Sequence, residues 1–311
     1  MTIRIIKPAD RLEWHGARKK FITASVAGAL LHCHPYTTAY QLWAEKTDRI
    51  QPDDAENDAM RRGRLLEPAA AQMLREERPE WVIDYRNDQA FYCDDAIRIG
   101  CTPDAFAMRP DILGDGIVQF KTSSEEAFRK AWVDPETGEV EIPLWIAVQA
   151  IVEAKMTGAK WAAVAVMVVG RGIHMEVVDI PLHEPTWQRL IWATAEFWSV
   201  TDAGQHPPID WERDGSTVID VYRSTVARKV DLSTDEFFDG YVARLEETRT
   251  IRREKQKLEE NLRAQILYAM HDAEVAETSK FIVLAPNRID QDGRSTRKIT
   301  IKLKDQSNGS F

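Results

Sequence analysis

Between residues 11 and 50 apolar positions recur at helical spacing, broken by a turn at Cys33-His34-Pro35-Tyr36. Helical signals resume from Asp58 to about Glu76, where Arg61-Arg62-Gly63-Arg64 leads into Leu65-Leu66-Glu67. Three runs rich in β-branched and aromatic residues then predict strands: Trp81–Tyr85, Ile97–Thr102 and Gly116–Lys121. The period returns to that of a helix over 143–157. Two more strands are predicted at Trp161–Val169 and His174–Ile180, around Gly170-Arg171-Gly172, followed by an amphipathic helix over 184–204. Helix, strands, helix, strands, helix is the order of a mixed α/β core, a central sheet flanked by helices.

His206-Pro207-Pro208-Ile209-Asp210 interrupts this pattern and predicts a domain boundary, with a core domain over 1–211 and a separate segment over 212–311. Within the latter, 234–275 reads as one long helix. Phe238, Tyr241, Val242 and Leu245 mark an apolar face at one end, and Leu258, Leu262, Ile266 and Met270 at the other; the polar middle predicts a solvated arm. A β-hairpin is expected next, Phe281–Leu284 against Lys298–Leu303, with cations at Arg288, Arg294, Arg297, Lys298 and Lys302.

Composition changes little in this picture. The chain has 311 residues, 44% hydrophobic and 29% charged, as in ordinary globular proteins. No apolar run is long enough to span a bilayer and the N-terminus has no signal-peptide core, so a cytoplasmic protein is expected. Cys33, Cys93 and Cys101 are widely spaced, which suggests reduced thiols rather than disulfides or zinc; His32-Cys33-His34 lacks the paired spacing of a zinc site. A net charge of −9 argues against a nucleic-acid partner in bulk, yet a local basic patch is compatible with it. Trp187, Trp192 and Trp198 read as core packing rather than base-stacking platforms.

The candidate chemistry lies around Asp104, in Gly-Cys-Thr-Pro-Asp just after a predicted strand. Fifteen residues on, Gln119-Phe120-Lys121 ends another, a spacing suited to two adjacent strands of a hairpin-like pair. Residues 119 and 121 share a face because strand side chains alternate. Phosphodiester hydrolysis calls for hard oxygen ligands around Mg²⁺, a positioned water and a nearby cation; an Asp, an acid–x–Lys unit and an upstream Glu provide these. Here Gln119 stands at the acidic position. Taken singly, Asp104 reads as a turn residue, Glu67 as a solvated helix acid and Lys121 as a surface lysine; order and spacing together carry the functional reading.

At these residues the sequence resembles the lambda-exonuclease family (YqaJ-type viral recombinases) of the PD-(D/E)xK nucleases, over about 12–205. The segment Trp14–Ser25 is similar to the family's W-x₃-R-x₃-I-T-A-S stretch, and Pro35-Tyr36 with Leu42–Thr47 to its next block. Gly63–Glu67 resembles the G-x₃-E block, Cys101–Asp104 the C-S/T-P-D block, Gln119-Phe120-Lys121 the E-x-K, and Gln149 the motif glutamine.

The resemblance implies a restriction-endonuclease-like fold and a Mg²⁺-dependent, 5′-to-3′ exonuclease acting on linear duplex DNA, Mn²⁺ substituting for Mg²⁺. Asp104, Gln119 and the Phe120 carbonyl hold the metal, Glu67 completes the site, and Lys121 activates water near Gln149. Arg18, Ser25 and Thr102 take the 5′-phosphate, with Arg129 or Lys130 standing in for a basic contact that falls near Ala127. Apart from the resemblance, Arg62 and Arg64, just ahead of Glu67, read as contacts that track the DNA backbone or as plain helix surface. A ring-shaped homotrimer working beside a single-strand-annealing protein in phage-type recombination is implied as well. Gln119 leaves three accounts open: an engineered substitution, a natural variant with weak activity that recruits Glu125 or Glu126, and a DNA-end binder that does not cut. An endonuclease or RecB-like nuclease on the same fold is a further alternative.

Overall fold

Alternation along 116–121 builds a strand longer than its apolar run, from Ile112 to Ser124, and this strand anchors the architecture. The structure, a computed structural model, describes residues 2–51, 58–85, 90–289 and 295–304, in two compact units, Met1–Thr225 and Val226–Phe311.

The first unit begins with β1 (Arg4–Ile6), α1 (Arg11–Lys19), β2 (Ile22–Thr23), a 3-10 turn at Ala24–Ala29, α2 (Ala39–Lys46) and α3 (Asp58–Glu77). Strands β3 (Val82–Tyr85), β4 (Phe91–Asp94), β5 (Ile99–Cys101), β6 (Ala105–Arg109) and β7 (Ile112–Ser124) follow. The unit continues with α4 (Glu125–Ala131), α5 (Leu144–Thr157), β8 (Trp161–Val169), β9 (Ile173–Ile180), α6 (Glu184–Asp202) and α7 (Gly215–Val221).

Five strands form the central sheet in the order β3-β6-β7-β8-β9, antiparallel except for the parallel pair β7–β8. A parallel pair needs a crossover, and α5 supplies it. Helix α5 is apolar almost all round, and it is buried on nearly all sides: Ile146, Val148, Ala150, Ile151, Val152, Ala154 and Met156 lie in the larger core with Ile117, Val164, Val166 and Val168 of the sheet. The opposite sheet face carries Val118, Phe120, Ala163, Ala165 and Met167, packed against Ala70, Ala71 and Leu74 of α3. Strand β7 therefore serves two helices, odd positions toward α5 and even ones toward α3. Gly116 is required by packing: a Cβ there meets the Trp161 ring at 2.0 Å.

The mixed α/β core agrees with the sequence reading; the hairpin behind Asp104 does not. Strand β5, which precedes Asp104, belongs to a second sheet of order β1-β4-β5-β2. Pro103 cannot donate to a ladder and ends that strand. The partner of β7 is instead β6, which starts immediately after Asp104, with Ala105 opposite Val118.

The division at Thr225 also falls later than the break at 206–210. Helix α7 packs on α2, and buried Asp214 accepts a hydrogen bond from Thr38 Oγ1, so 212–221 belongs with the first unit.

The second unit holds α8 (Phe238–Met270), β10 (Val275–Glu277), β11 (Phe281–Leu284), β12 (Asn287–Ile289), β13 (Ser295–Arg297) and β14 (Thr300–Leu303). Strand β11 pairs antiparallel with β14, as the sequence suggests, and β10 adds a third strand; Arg294 lies outside the described residues. Along α8 only Met270 is buried, and Phe238, Tyr241, Val242 and Leu245 are exposed. Among the described residues no helix is long and apolar enough to cross a membrane.

Candidate active site

Four elements meet at one cleft of about 790 Å³. Its lining includes Arg64 and Glu67 from α3, Thr102 and Asp104 between β5 and β6, Gln119 and Lys121 from β7, and Gln149 from α5. Asp104 opens β6 and Gln119 sits near its level on the neighbouring strand. Lys121 lies two residues on, on the same face, turned toward α5.

The hydrogen bonds run in one direction. Lysine only donates, and Lys121 Nζ donates to Gln149 Oε1 at 3.1 Å. That fixes the Gln149 amide, so its Nε2 donates to Gln119 Oε1 at 2.8 Å and to Glu153 Oε1 at 3.0 Å. Gln119 is fixed in turn, and its Nε2 donates to Asp104 Oδ2 and to the Phe120 carbonyl, the latter at 3.3 Å. The Phe120 N–H donates to the same Asp104 oxygen at 2.9 Å. Gln119 thus faces Asp104 with a donor, and its oxygen is already engaged by Gln149.

Glu67 accepts from Tyr85 Oη at 3.1 Å, and the Tyr85 phenol is pushed up to about 12 by burial and then by the Glu67 charge. Burial, followed by the Glu67 charge, also pushes the Asp104 carboxyl well above the usual carboxylate range. An acid that resists negative charge beside a second carboxylate is poised to accept a cation. The oxygens of Asp104, Glu67 and the Phe120 carbonyl are hard donors, suited to Mg²⁺, which keeps several waters and takes one or two carboxylates from the protein. The Gln119 nitrogen, placed between Asp104 Oδ2 and the Phe120 oxygen, occupies the position of a partner that a cation would replace. Among the described residues no three His, Cys, Asp or Glu side chains come together to hold a metal.

A second cluster fits an anion. Arg18, partly buried, lies over the Trp14 ring at 3.8 Å and donates to Thr23 Oγ1 and Ser25 Oγ, each at 3.3 Å. Burial pulls its guanidinium down to about 10. Lys46 Nζ donates to the Arg18 carbonyl at 3.0 Å, and burial, then the Arg18 charge, lowers it to about 8. Thr23 pairs with Gly100 in parallel β2 and β5, and Ser25 and Thr102 each lie two residues beyond that pair. The Thr102 hydroxyl is buried with no hydrogen-bond partner among the described residues. A pair of disfavoured cations beside the Thr23 and Ser25 hydroxyls is suited to an anion such as phosphate.

The remaining expected contacts divide. Arg64 lines the cleft, and the Nε of partly buried Arg62 has no hydrogen-bond partner among the described residues. Arg129 and Lys130 are exposed on α4, outside the cleft lining, with Arg129 paired to Glu125 at 3.3 Å. Glu125 and Glu126, suggested as substitutes for the missing acid, are exposed at the start of α4, and Glu125 stands against Gly170 instead. The three cysteines are free thiols. Trp187 and Trp198 are core residues, whereas Trp192 is 62% exposed. Sequence reasoning missed Tyr85, Lys46 and Glu153. Glu153 did carry a signal, an acid one turn beyond Gln149 on an otherwise apolar helix.

Residues 13–160 match the profile of the YqaJ-like viral recombinase domain. Similar solved structures include an alkaline exonuclease from Laribacter hongkongensis, at 17% identity and TM-score 0.47, covering 67% of this chain and 99% of that one. A putative exonuclease from Eubacterium rectale is similar at 10% identity and TM-score 0.45, covering 74% and 98%. No curated protein matches the chain. The residues that line the cleft, from Ala59 to Gln149, fall inside the segment that is similar to the YqaJ-like viral recombinase domain.

Proposed function

We propose that the chain is a Mg²⁺-dependent nuclease that resects linear duplex DNA from 5′-phosphorylated ends, 5′ to 3′, in phage-type recombination. The observation that supports this reading is a hard-oxygen cleft at Asp104 and Glu67, lined also by Thr102, whose hydroxyl is unpartnered among the described residues, together with a second cluster in which Arg18 holds Ser25. Asp104, Glu67 and the Phe120 carbonyl would hold a divalent cation, which would supply Lewis-acid stabilisation of the charge on the scissile phosphate. Lys121, held by Gln149, orients the attacking water and offers a positive charge to the phosphoryl oxygens. Arg18 and the hydroxyls of Ser25 and Thr102 seat the terminal phosphate through charge-assisted hydrogen bonds. The homotrimer and the annealing partner implied by the family belong to this same proposal.

The donor that Gln119 turns toward Asp104 favours a second reading, a DNA-end binder that cuts poorly or not at all. One comparison separates the two. The chain and Gln119→Glu are incubated with Mg²⁺ and 5′-phosphorylated linear duplex, with a closed circle as control. Restoring a carboxylate is expected to raise digestion of the linear DNA by orders of magnitude and leave the circle intact. Equal rates for the two proteins overturn the role given to position 119, and cutting of the circle overturns end dependence.

A further inference from the structure

Trp145 is half-buried on the first turn of α5, one turn before Gln149. It lines the same cleft as Lys121, whose Nζ lies 5.8 Å from the centre of the Trp145 ring. Tyr36 stands beside it, 78% exposed, with ring centres 6.3 Å apart and planes at 78°. Both rings are held in place. Buried His34 accepts the backbone N–H groups of Tyr36 and Thr37 on its Nδ1, at 3.3 and 3.0 Å, and sets its own ring 5.1 Å from that of Trp145. The His34 carbonyl in turn accepts from Arg213 at 2.8 Å. A Cβ at Gly28 would meet the Trp145 Cβ at 3.0 Å, so the 3-10 turn lies directly against the start of α5. Part of Trp145 packs on the larger core, whereas Tyr36 leaves most of its ring in water although its loop is fixed.

A fixed pair of aromatic rings next to a charged cleft suits a ligand that has a flat face as well as a charge. Lys121 and the acids address a phosphodiester, and the flat group that every nucleotide carries beside its phosphate is the base. A base inside a duplex has both faces covered, so one that stacks on a protein ring must first leave its partner; a mismatched or single-stranded base does so at least cost. Resting on the nuclease reading above, we propose that Tyr36 and Trp145 form a stacking site for an unpaired base, one that flanks the phosphate facing Lys121. Every base has a π face, so the site takes any nucleotide and reads no sequence. It draws the strand to be cut toward α5 and away from its complement.

The test is binding of the full chain to 5′-phosphorylated linear duplex, with Ca²⁺ in place of Mg²⁺ and the DNA checked for cutting. Two ends are compared, one mismatched over the first two positions of the 5′ strand and one abasic at the same two positions. The proteins are the chain itself, Tyr36→Ala, Tyr36→Phe and Trp145→Leu, with thermal melts as a folding check. The parent is expected to bind the base-bearing end about tenfold or more tightly than the abasic one, whichever bases it carries. Tyr36→Phe, which keeps a π face, should keep that ratio, while Tyr36→Ala and Trp145→Leu bring it toward one. Fluorescence of 2-aminopurine at the first position should be quenched by the parent and recover in the same two variants. If the parent binds both ends equally, or if the ratio survives in both Tyr36→Ala and Trp145→Leu, the rings are not a stacking site. A parent that binds neither end better than a closed circle fails differently, since that outcome removes the end-directed reading itself.

Discussion

Lys46 offers a direct measure of how far the anion cluster is built against its own stability. Its ammonium is partly buried, hydrogen-bonded to the Arg18 carbonyl, and lowered from 10.5 to about 8 by burial and then by the Arg18 charge. The folded state disfavours the proton that the unfolded state keeps, so the cost is complete below pH 8 and is relieved as pH rises from 8 to 10.5. A shift of this size corresponds to about 3 kcal/mol, a ceiling because the side chain is partly exposed and screened. Urea unfolding at low ionic strength, followed by tryptophan fluorescence at pH 7.5, 9 and 10, measures it. Relative to Lys46→Met, the parent should gain stability across that interval, with the difference approaching the ceiling. Inorganic phosphate should suppress the gain, because a bound dianion favours the charged lysine. A rise of the same size in Lys46→Met means that the titrating group lies elsewhere, and the argument for a disfavoured cation pair fails.

Arg18→Ala should lower the preference for 5′-phosphate over 5′-hydroxyl ends by about tenfold or more, the worth of a hydrogen bond to a charged group, in a paired-substrate binding assay; equal losses on both ends would make Arg18 a general contact. Gly116→Ala forces a Cβ into the Trp161 ring and is expected to cost about 1–3 kcal/mol or more in urea unfolding, whereas Gly138→Ala, with nothing within 4 Å but a positive φ of 73°, should cost less. A chain ending at Thr225 should fold as the full protein does, while one ending at 211 loses buried Asp214 and its bond to Thr38 and should melt several degrees lower; equal melting temperatures would show that α7 contributes little.

The sheet and its helices were legible because burial on one or both faces leaves a period in the sequence. Helix α5 and strand β8 are nearly continuous apolar runs, and α6 repeats large apolar residues at helical spacing, Trp187, Leu190, Phe197 and Trp198 on its buried face. The short strands β1, β2 and β4 left too few alternations to read, and so did the five residues of β6, which follow Pro103 just after the predicted strand Ile97–Thr102. Asp104, Gln119 and Lys121 were recoverable from order and spacing and Gln149 from the family resemblance, and the structure brings them together with Glu67. The direction of the hydrogen bonds was not recoverable. It follows from Lys121 being a pure donor in contact with Gln149, a relation across 28 positions that no local pattern encodes. Glu153 was overlooked for a related reason, since an acid on a helix is ordinarily solvated and only the packing around α5 shows otherwise.

Pro103 has one more effect. On one side of it Thr102 belongs with the anion cluster on the second sheet; on the other, Asp104 opens a strand of the central sheet. The two chemistries are thus tethered by a dipeptide whose reach is at most about 7 Å, close to two base-pair rises along one strand. A proline with a fixed φ makes that tether a stiff gauge rather than a hinge. If the two clusters act as proposed, the separation of a phosphate held at Thr102 from the acid at 104 is limited by the covalent chain itself, through three consecutive residues, Thr102, Pro103 and Asp104.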